Sequence, residues 1–206
     1  MVRAKPTTEA VPECTDKKCA RDRILAAAND LFYREGVRAV GIDTVIEQAG
    51  VAKMSLYRAF PSKDDLIAAF LEERDRLYWQ WWDGVTSRHP DDPRQQVRAL
   101  FQALGKRTSG ANYRGCPFVN IAVEFPDRTH PGRAIAEANK AELRRRLLAL
   151  AVGMGASAPA LLADQLLLLM EGAYSAGNTM GSDGPSSAVA SAADIIIDSH
   201  LRKTIP

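Results

Sequence analysis

Residues 42–63 constrain this chain more than any other stretch. Ile42, Val45, Ile46 and Ala49 recur at helical spacing and are followed directly by Gly50 and Val51. A reversal that tight between two helices needs a residue with positive φ, and glycine takes that conformation without steric cost. The next segment, 51–63, carries Lys53, Arg58 and Lys63 and no carboxylate. The pattern reads as a helix-turn-helix followed by the start of a further helix. A short helix that is apolar inside and basic outside suits a DNA groove.

The rest of the chain also reads as helix. Ile24, Leu25, Ala28, Leu31 and Phe32 give residues 21–34 one apolar stripe, and Gly36 is a natural stop. Ser62 is placed to cap the next helix, with Asp65 at the capping-box position and Asp64 beside it to complement the helix dipole. That helix runs some 20 residues, to near Trp82 or beyond. Pro93, Pro117, Pro131, Pro159 and Pro185 each stand where a new helix begins, because proline suits the first helical position. No strand alternation is sustained. The expectation is an all-α fold of about nine helices.

Composition narrows the function classes by exclusion. The net charge of +2 on 206 residues gives no bulk argument for nucleic acid, so that argument rests on the local basic cluster. The longest apolar runs, 147–151 and 166–170, are too short to span a bilayer, and the N-terminus lacks a secretory core. No membrane partner is expected, and the cytoplasm is the expected location. Cys14, Cys19 and Cys116 are odd in number and lack metal-ligand spacing, which reads as free thiols with no metal site. His89, His130 and His200 are isolated. No nucleophile–base pair or phosphate-binding glycine loop appears, so neither catalytic residues nor a cofactor are expected.

Taken as a set, several residues resemble the TetR family of bacterial transcriptional regulators. They are Ile24 to Ala28, Leu31-Phe32, Gly36, Ala49-Gly50-Val51, Leu56-Tyr57, Phe60, Ser62-Lys63 and Leu66. Residues 114–118, Arg-Gly-Cys-Pro-Phe, also look like a stretch found in some effector domains of that family. The resemblance implies an N-terminal three-helix DNA-binding domain and a C-terminal helical domain for ligand binding and dimerisation. Our division is an arm over 1–19, a DNA-binding domain over 20–66 and an effector and dimerisation domain over 67–206. Arg3, Lys5, Lys17 and Lys18 in the arm either touch phosphates or are simply solvated.

The helix after Gly50 would enter the major groove. Val51, Leu56 and Phe60 should face inward, leaving Lys53, Met54, Ser55, Tyr57 and Arg58 exposed. Lys53 or Arg58 could reach guanine, and Met54 a thymine methyl. Tyr57 and Lys63 resemble the family's phosphate-contacting positions, and Thr44 is a plausible backbone contact. Two positions depart from the pattern. Gly41 and Ala52 open the two helices of the motif where the family usually has Thr or Ser, so two capping hydroxyls are missing.

For the C-terminal two thirds, the resemblance implies a double-stranded DNA operator, a small-molecule effector and a homodimer. Such proteins are most often repressors. Candidate effector contacts are Trp82, Phe101, Cys116, Phe118, Asn120, Glu124, Phe125, Met170, Tyr174 and Asn178. An apolar cavity with a few polar anchors would suit an apolar or aromatic ligand. The same aromatics also read as ordinary core. Glu124 is either buried and partnered or a solvated carboxylate at a helix end. Cys116 is either a reactive thiol near a helix N-terminus or a packing residue. Leu161, Leu162, Leu166, Leu169, Ala173 and Ala176, with Ala188, Ala192, Ile195 and Ile196, form two apolar strips suited to a dimer interface. An all-α enzyme, or an interaction module without DNA affinity, is the competing reading.

Overall fold

The computed structural model describes the backbone of residues 17–201 and the side chains of residues 19–201. Most of the expected arm, with Cys14, lies outside the described residues. Every regular element within them is helical, as expected from the sequence. Three helices form the head: α1 (Lys17–Glu35), α2 (Ile42–Ala49) and α3 (Lys53–Ala59). Helix α1 starts at Lys17, four residues before the expected Arg21. It stops where Gly36 takes φ 93, with the Gly36 N–H donating to Phe32 O at 3.1 Å.

The stripe Ile24, Ala28, Leu31 and Phe32 is buried together with Val45 and Ala49 of α2, and Leu56 and Phe60 at α3. Each fully buried Leu or Phe side chain contributes about 1.5–3 kcal/mol of transfer free energy. That places α1 as the platform on which the two motif helices sit.

Helix α4 (Lys63–Thr86) belongs to both halves of the molecule. Its start is fixed by a full capping box: Ser62 Oγ accepts from Asp65 N at 3.1 Å, and Asp65 Oδ2 accepts from Ser62 N at 3.0 Å. The first turns bury Leu66, Ile67 and Phe70, and Phe70 meets Phe32 edge-on at 5.6 Å. The later turns bury Tyr78, Trp82 and Val85.

The body continues with α5 (Pro93–Thr108), α6 (Pro117–Glu124), α7 (Pro131–Gly153), α8 (Pro159–Met180) and α9 (Val189–Leu201). Proline opens α5, α6, α7 and α8, as read from the sequence. Pro185 instead opens a short 3-10 turn, Pro185–Ala188, which follows another at Gly181–Asp183. The chain reverses at Gly181, φ 65, and these turns bring it back so that α9 lies against α5 and α8. Helix α8 is central, packing on α5, α7 and α9. No helix among the described residues is long and apolar enough to cross a membrane.

The two cysteines among the described residues are not alike. Cys116 is free and buried, whereas Cys19 is disulfide-bonded, so the expectation of a free thiol does not hold at Cys19.

Candidate nucleic-acid interface and interdomain cleft

The turn of the motif is built as its glycine requires. Gly50 sits at φ 61, ψ 45, and its N–H bonds back to the end of α2. Arg23 of α1 donates to Gly50 O at 2.9 Å, and a Cβ at Gly50 would lie 2.7 Å from that guanidinium. Gly41 and Ala52 cap α2 and α3 without a side-chain hydrogen bond, so both missing hydroxyls leave their mark.

On α3, Leu56 and Phe60 are buried and Val51 is half-buried, which turns the opposite side outward. Met54 is 70% exposed and Tyr57 41%, with Lys53 and Arg58 exposed beside them. Ser55 is half-buried rather than exposed, because it lies next to Leu56 at the edge of the inward stripe. Thr44 is exposed on α2.

The cations of this face differ in their engagements. Lys53 Nζ pairs with Asp43 of α2 at 3.0 Å, and that hydrogen bond raises its pKa. Lys63 Nζ donates to Val40 O at 2.7 Å and is half-buried; burial lowers its pKa. Arg58 has no hydrogen bond or ion pair among the described residues. It is therefore the cation most available to an incoming acceptor.

A cleft of about 560 Å³ opens between head and body. The head contributes Phe32, Tyr33 and Arg38; the body contributes residues of α6 and α8 together with the loop before α6. Five of the expected effector contacts line it: Cys116, Asn120, Glu124, Tyr174 and Asn178. A smaller chamber of about 60 Å³ adjoins it, sharing Gly115, Cys116 and Tyr174 with the cleft and adding Phe118. Trp82, Phe101, Met170 and Phe125 line neither cavity. The first three are buried core, and Phe125 stacks on His130 with ring centroids 3.9 Å apart.

Glu124 resolves to the partnered alternative. Its Oε2 accepts from the backbone N–H of Arg38 at 2.8 Å, and the Arg38 side chain donates to Glu124 O at 3.2 Å. A Cβ on Gly36 would lie 3.2 Å from the same carboxylate. Glu124 thus clasps the loop after α1 to the end of α6. A second clasp lies at the loop before α6. Arg114 Nε donates to Arg34 O at 3.0 Å, Arg114 N donates to Tyr33 Oη at 3.2 Å, and Tyr33 Oη donates to Gly115 O at 3.3 Å.

Cys116 caps α6, with Lys140 Nζ 3.4 Å from its sulfur. Lys140 also donates to Glu171 at 2.7 Å. Burial opposes the Lys140 charge, yet Cys116 and Glu171 together hold its pKa above the ordinary value.

Several residues of these cavities were missed in the sequence: Tyr33, Arg38, Arg74, Arg107 and Tyr113. A signal existed for Arg74. It continues the stripe Ile67, Leu71, Tyr78, Trp82 at helical spacing, and a charge on a buried stripe is informative. The surrounding run Glu-Glu-Arg-Asp-Arg disguised it as a solvated face.

Comparison with known proteins agrees with this geometry. The profile of "Bacterial regulatory proteins, tetR family" matches residues 24–70, the head and the first turns of α4. SCO4454, a TetR-family transcriptional regulator from Streptomyces coelicolor, superposes with a TM-score of 0.85 at 29% identity, covering 90% of this chain and 97% of that one. A putative TetR transcriptional regulator from Streptomyces avermitilis, sav143, is 31% identical with a TM-score of 0.77, over 89% of this chain and 99% of its own. The Escherichia coli HTH-type transcriptional regulator YjdC is 24% identical over 155 residues, 75% of this chain and 81% of that protein. A head with a glycine-turned motif, a shared α4 and near full-length agreement with such proteins lead to one conclusion: this chain belongs to the TetR family of transcriptional regulators.

Proposed function

We propose that the protein is a dimeric repressor that binds a pseudo-palindromic operator in the cytoplasm and is released by a small-molecule effector. The observation that carries this reading is the outward face of α3, where Arg58 stands unpaired beside Tyr57, Met54 and Lys53. On DNA, Arg58 reads a guanine edge and Met54 meets a thymine methyl, while Tyr57, Thr44 and Lys63 hold phosphates. Lys53 exchanges Asp43 for a phosphate or a base. Ser55, at the edge of the face, contacts the backbone.

Two heads must span successive major grooves, about 34–36 Å apart. The exposed side chains of Leu161, Leu168 and Ile195 on α8 and α9 supply the surface that would join them. The effector occupies the cleft between head and body. Its volume falls within the range of about 300–1,000 Å³ usual for small-molecule sites. Its walls include both clasps, so a ligand there has different affinities for docked and undocked heads. That difference is what an effector requires to shift the equilibrium.

Fluorescence anisotropy against duplex DNA from upstream of the protein's own gene, with scrambled duplex as competitor, tests this reading. Specific binding that weakens steeply with salt supports it. Equal, weak binding to both duplexes, and to a randomised duplex library, refutes it.

A further inference from the structure

We propose that the small chamber beside the cleft is an anion subsite, and that it takes the carboxylate of a small organic acid with an apolar tail. The inference rests on the effector reading above and names the ligand's chemistry.

The chamber is bounded by Arg74, Arg107, Tyr78, Tyr113 and Tyr174, with Cys116 at its mouth, and no carboxylate lines it. Neither arginine forms an ion pair among the described residues. The acids near Arg74 are already engaged. Glu73 is held by Arg76 through two hydrogen bonds of 2.8 and 2.7 Å. Asp30 accepts from Gln48 at 3.0 Å, and Asp75 accepts from Trp79 and Asn139. Arg74 Nε and Tyr113 Oη are both buried without a partner.

Burial pushes the Arg74 guanidinium below its ordinary pKa, and Arg107 adds repulsion. Arg74 is half-buried with its Nε fully enclosed, while Arg107 is exposed at the chamber's edge; a carboxylate would satisfy the enclosed Nε and pair with both guanidinium groups. Burial also raises the pKa of Tyr78, Tyr113 and Tyr174, so all three stay protonated near neutrality; Tyr174 donates to Tyr78 Oη at 3.4 Å, which leaves the O–H groups of Tyr78 and Tyr113 as donors.

The chamber, at about 60 Å³, is sized for a head group. Cys116 and Tyr174 line both spaces, so the rest of the ligand extends past them into the larger cleft, along Val119 and Val123. The same Arg74 carries the signal. Its Nη2 donates to Asn29 O of α1 at 2.8 Å, and its guanidinium lies 4.5 Å from the Tyr33 ring centroid. A carboxylate engaging Arg74 therefore competes with the head for one guanidinium.

The test uses the full chain, with benzoate and its neutral isostere benzamide titrated by calorimetry. Benzoate should bind at least about tenfold more tightly than benzamide. Arg107→Gln should weaken benzoate at least about tenfold while weakening benzamide far less and leaving the thermal midpoint in place, and Arg107→Lys should restore part of the loss. Equal affinity for the two compounds, no benzoate binding at millimolar concentration, or indifference to Arg107→Gln would overturn the subsite. A parallel operator-release assay separates the two readings. Neutral amides that release DNA where carboxylates do not would overturn the anion assignment and leave the effector reading standing. Benzoate that binds through Arg107 without changing operator affinity would support the subsite and overturn the effector reading.

Discussion

Two surfaces of this molecule leave large apolar side chains in water, and they do so in opposite ways. On α3, Met54 at 70% and Tyr57 at 41% exposure stand singly among Lys53, Ser55 and Arg58. On α8 and α9, Leu161, Leu168 and Ile195 are 53%, 71% and 71% exposed. Leu168 lines a groove together with Leu169, Gly172, Ala176, Ala188 and Ala192. Charges near the second surface are already spent on intramolecular pairs: Arg98 with Asp194, Arg94 with Asp198 and Arg144 with Asp164. Exposure alone therefore says little about function. Isolated apolar groups among cations suit a polyanion with methyl-bearing grooves, whereas a continuous apolar strip with small residues suits a second copy of itself.

Three perturbations separate the two surfaces, and a fourth probes neither. The largest effect is expected from Leu56→Ala, which empties a fully buried position under α3. It should cost about 2–5 kcal/mol of head stability in chemical denaturation and abolish DNA binding while dimers persist. Loss of dimers as well would mean that the two surfaces are not independent.

Leu168→Glu comes next. The side chain is exposed in the single chain, so the fold should change by no more than about 0.5 kcal/mol. Sedimentation should nonetheless show monomers, because a charge is placed in the apolar strip. Arg58→Ala should then remove about 1–3 kcal/mol of operator binding and leave both the thermal midpoint and the dimer intact.

The smallest effect belongs to neither surface. Arg145 and Arg146 hold the Glu142 carboxyl down at about 2. A depressed carboxylate contributes stability above its unfolded pKa, and that contribution fades as pH falls through the folded value. Wild-type protein should therefore lose a small increment of stability between about pH 4.5 and pH 2, an increment that Glu142→Gln lacks. Acid melts of the two proteins measure it; identical pH dependence would show that these exposed pairs contribute nothing.

The fold was legible because its signals are local. Gly50, the Ser62–Asp65 box and the prolines at 93, 117, 131 and 159 each fix a helix boundary through backbone chemistry, without help from distant residues. The start of α9 was missed because a 3-10 turn over Pro185–Ala188 comes first, packed on α8, where a Cβ at Gly184 would lie 2.8 Å from Met180 Cβ. The outward face of α3 was legible for a similar reason: a seven-residue helix with Leu56 turned inward and Phe60 buried at its cap leaves little choice for the rest.

The cleft was legible only in part. Its walls come from segments more than eighty residues apart, such as Tyr33 with Gly115 and Arg38 with Glu124. Nothing in local spacing announces those pairings. Phe101 and Met170 resemble pocket residues by type, but helical periodicity cannot separate a cavity wall from filled core. Arg74 shows the converse, a charge on the buried stripe that its charged neighbours concealed.

The most direct test is sedimentation velocity of wild type, Arg58→Ala and Leu168→Glu, each with and without an operator duplex. The account predicts a wild-type dimer that co-sediments with DNA, an Arg58→Ala dimer that needs at least about fivefold more protein to do so, and a Leu168→Glu monomer. An Arg58→Ala protein that dissociates, or a Leu168→Glu protein that remains dimeric, would contradict the assignment of DNA to one surface and the partner chain to the other.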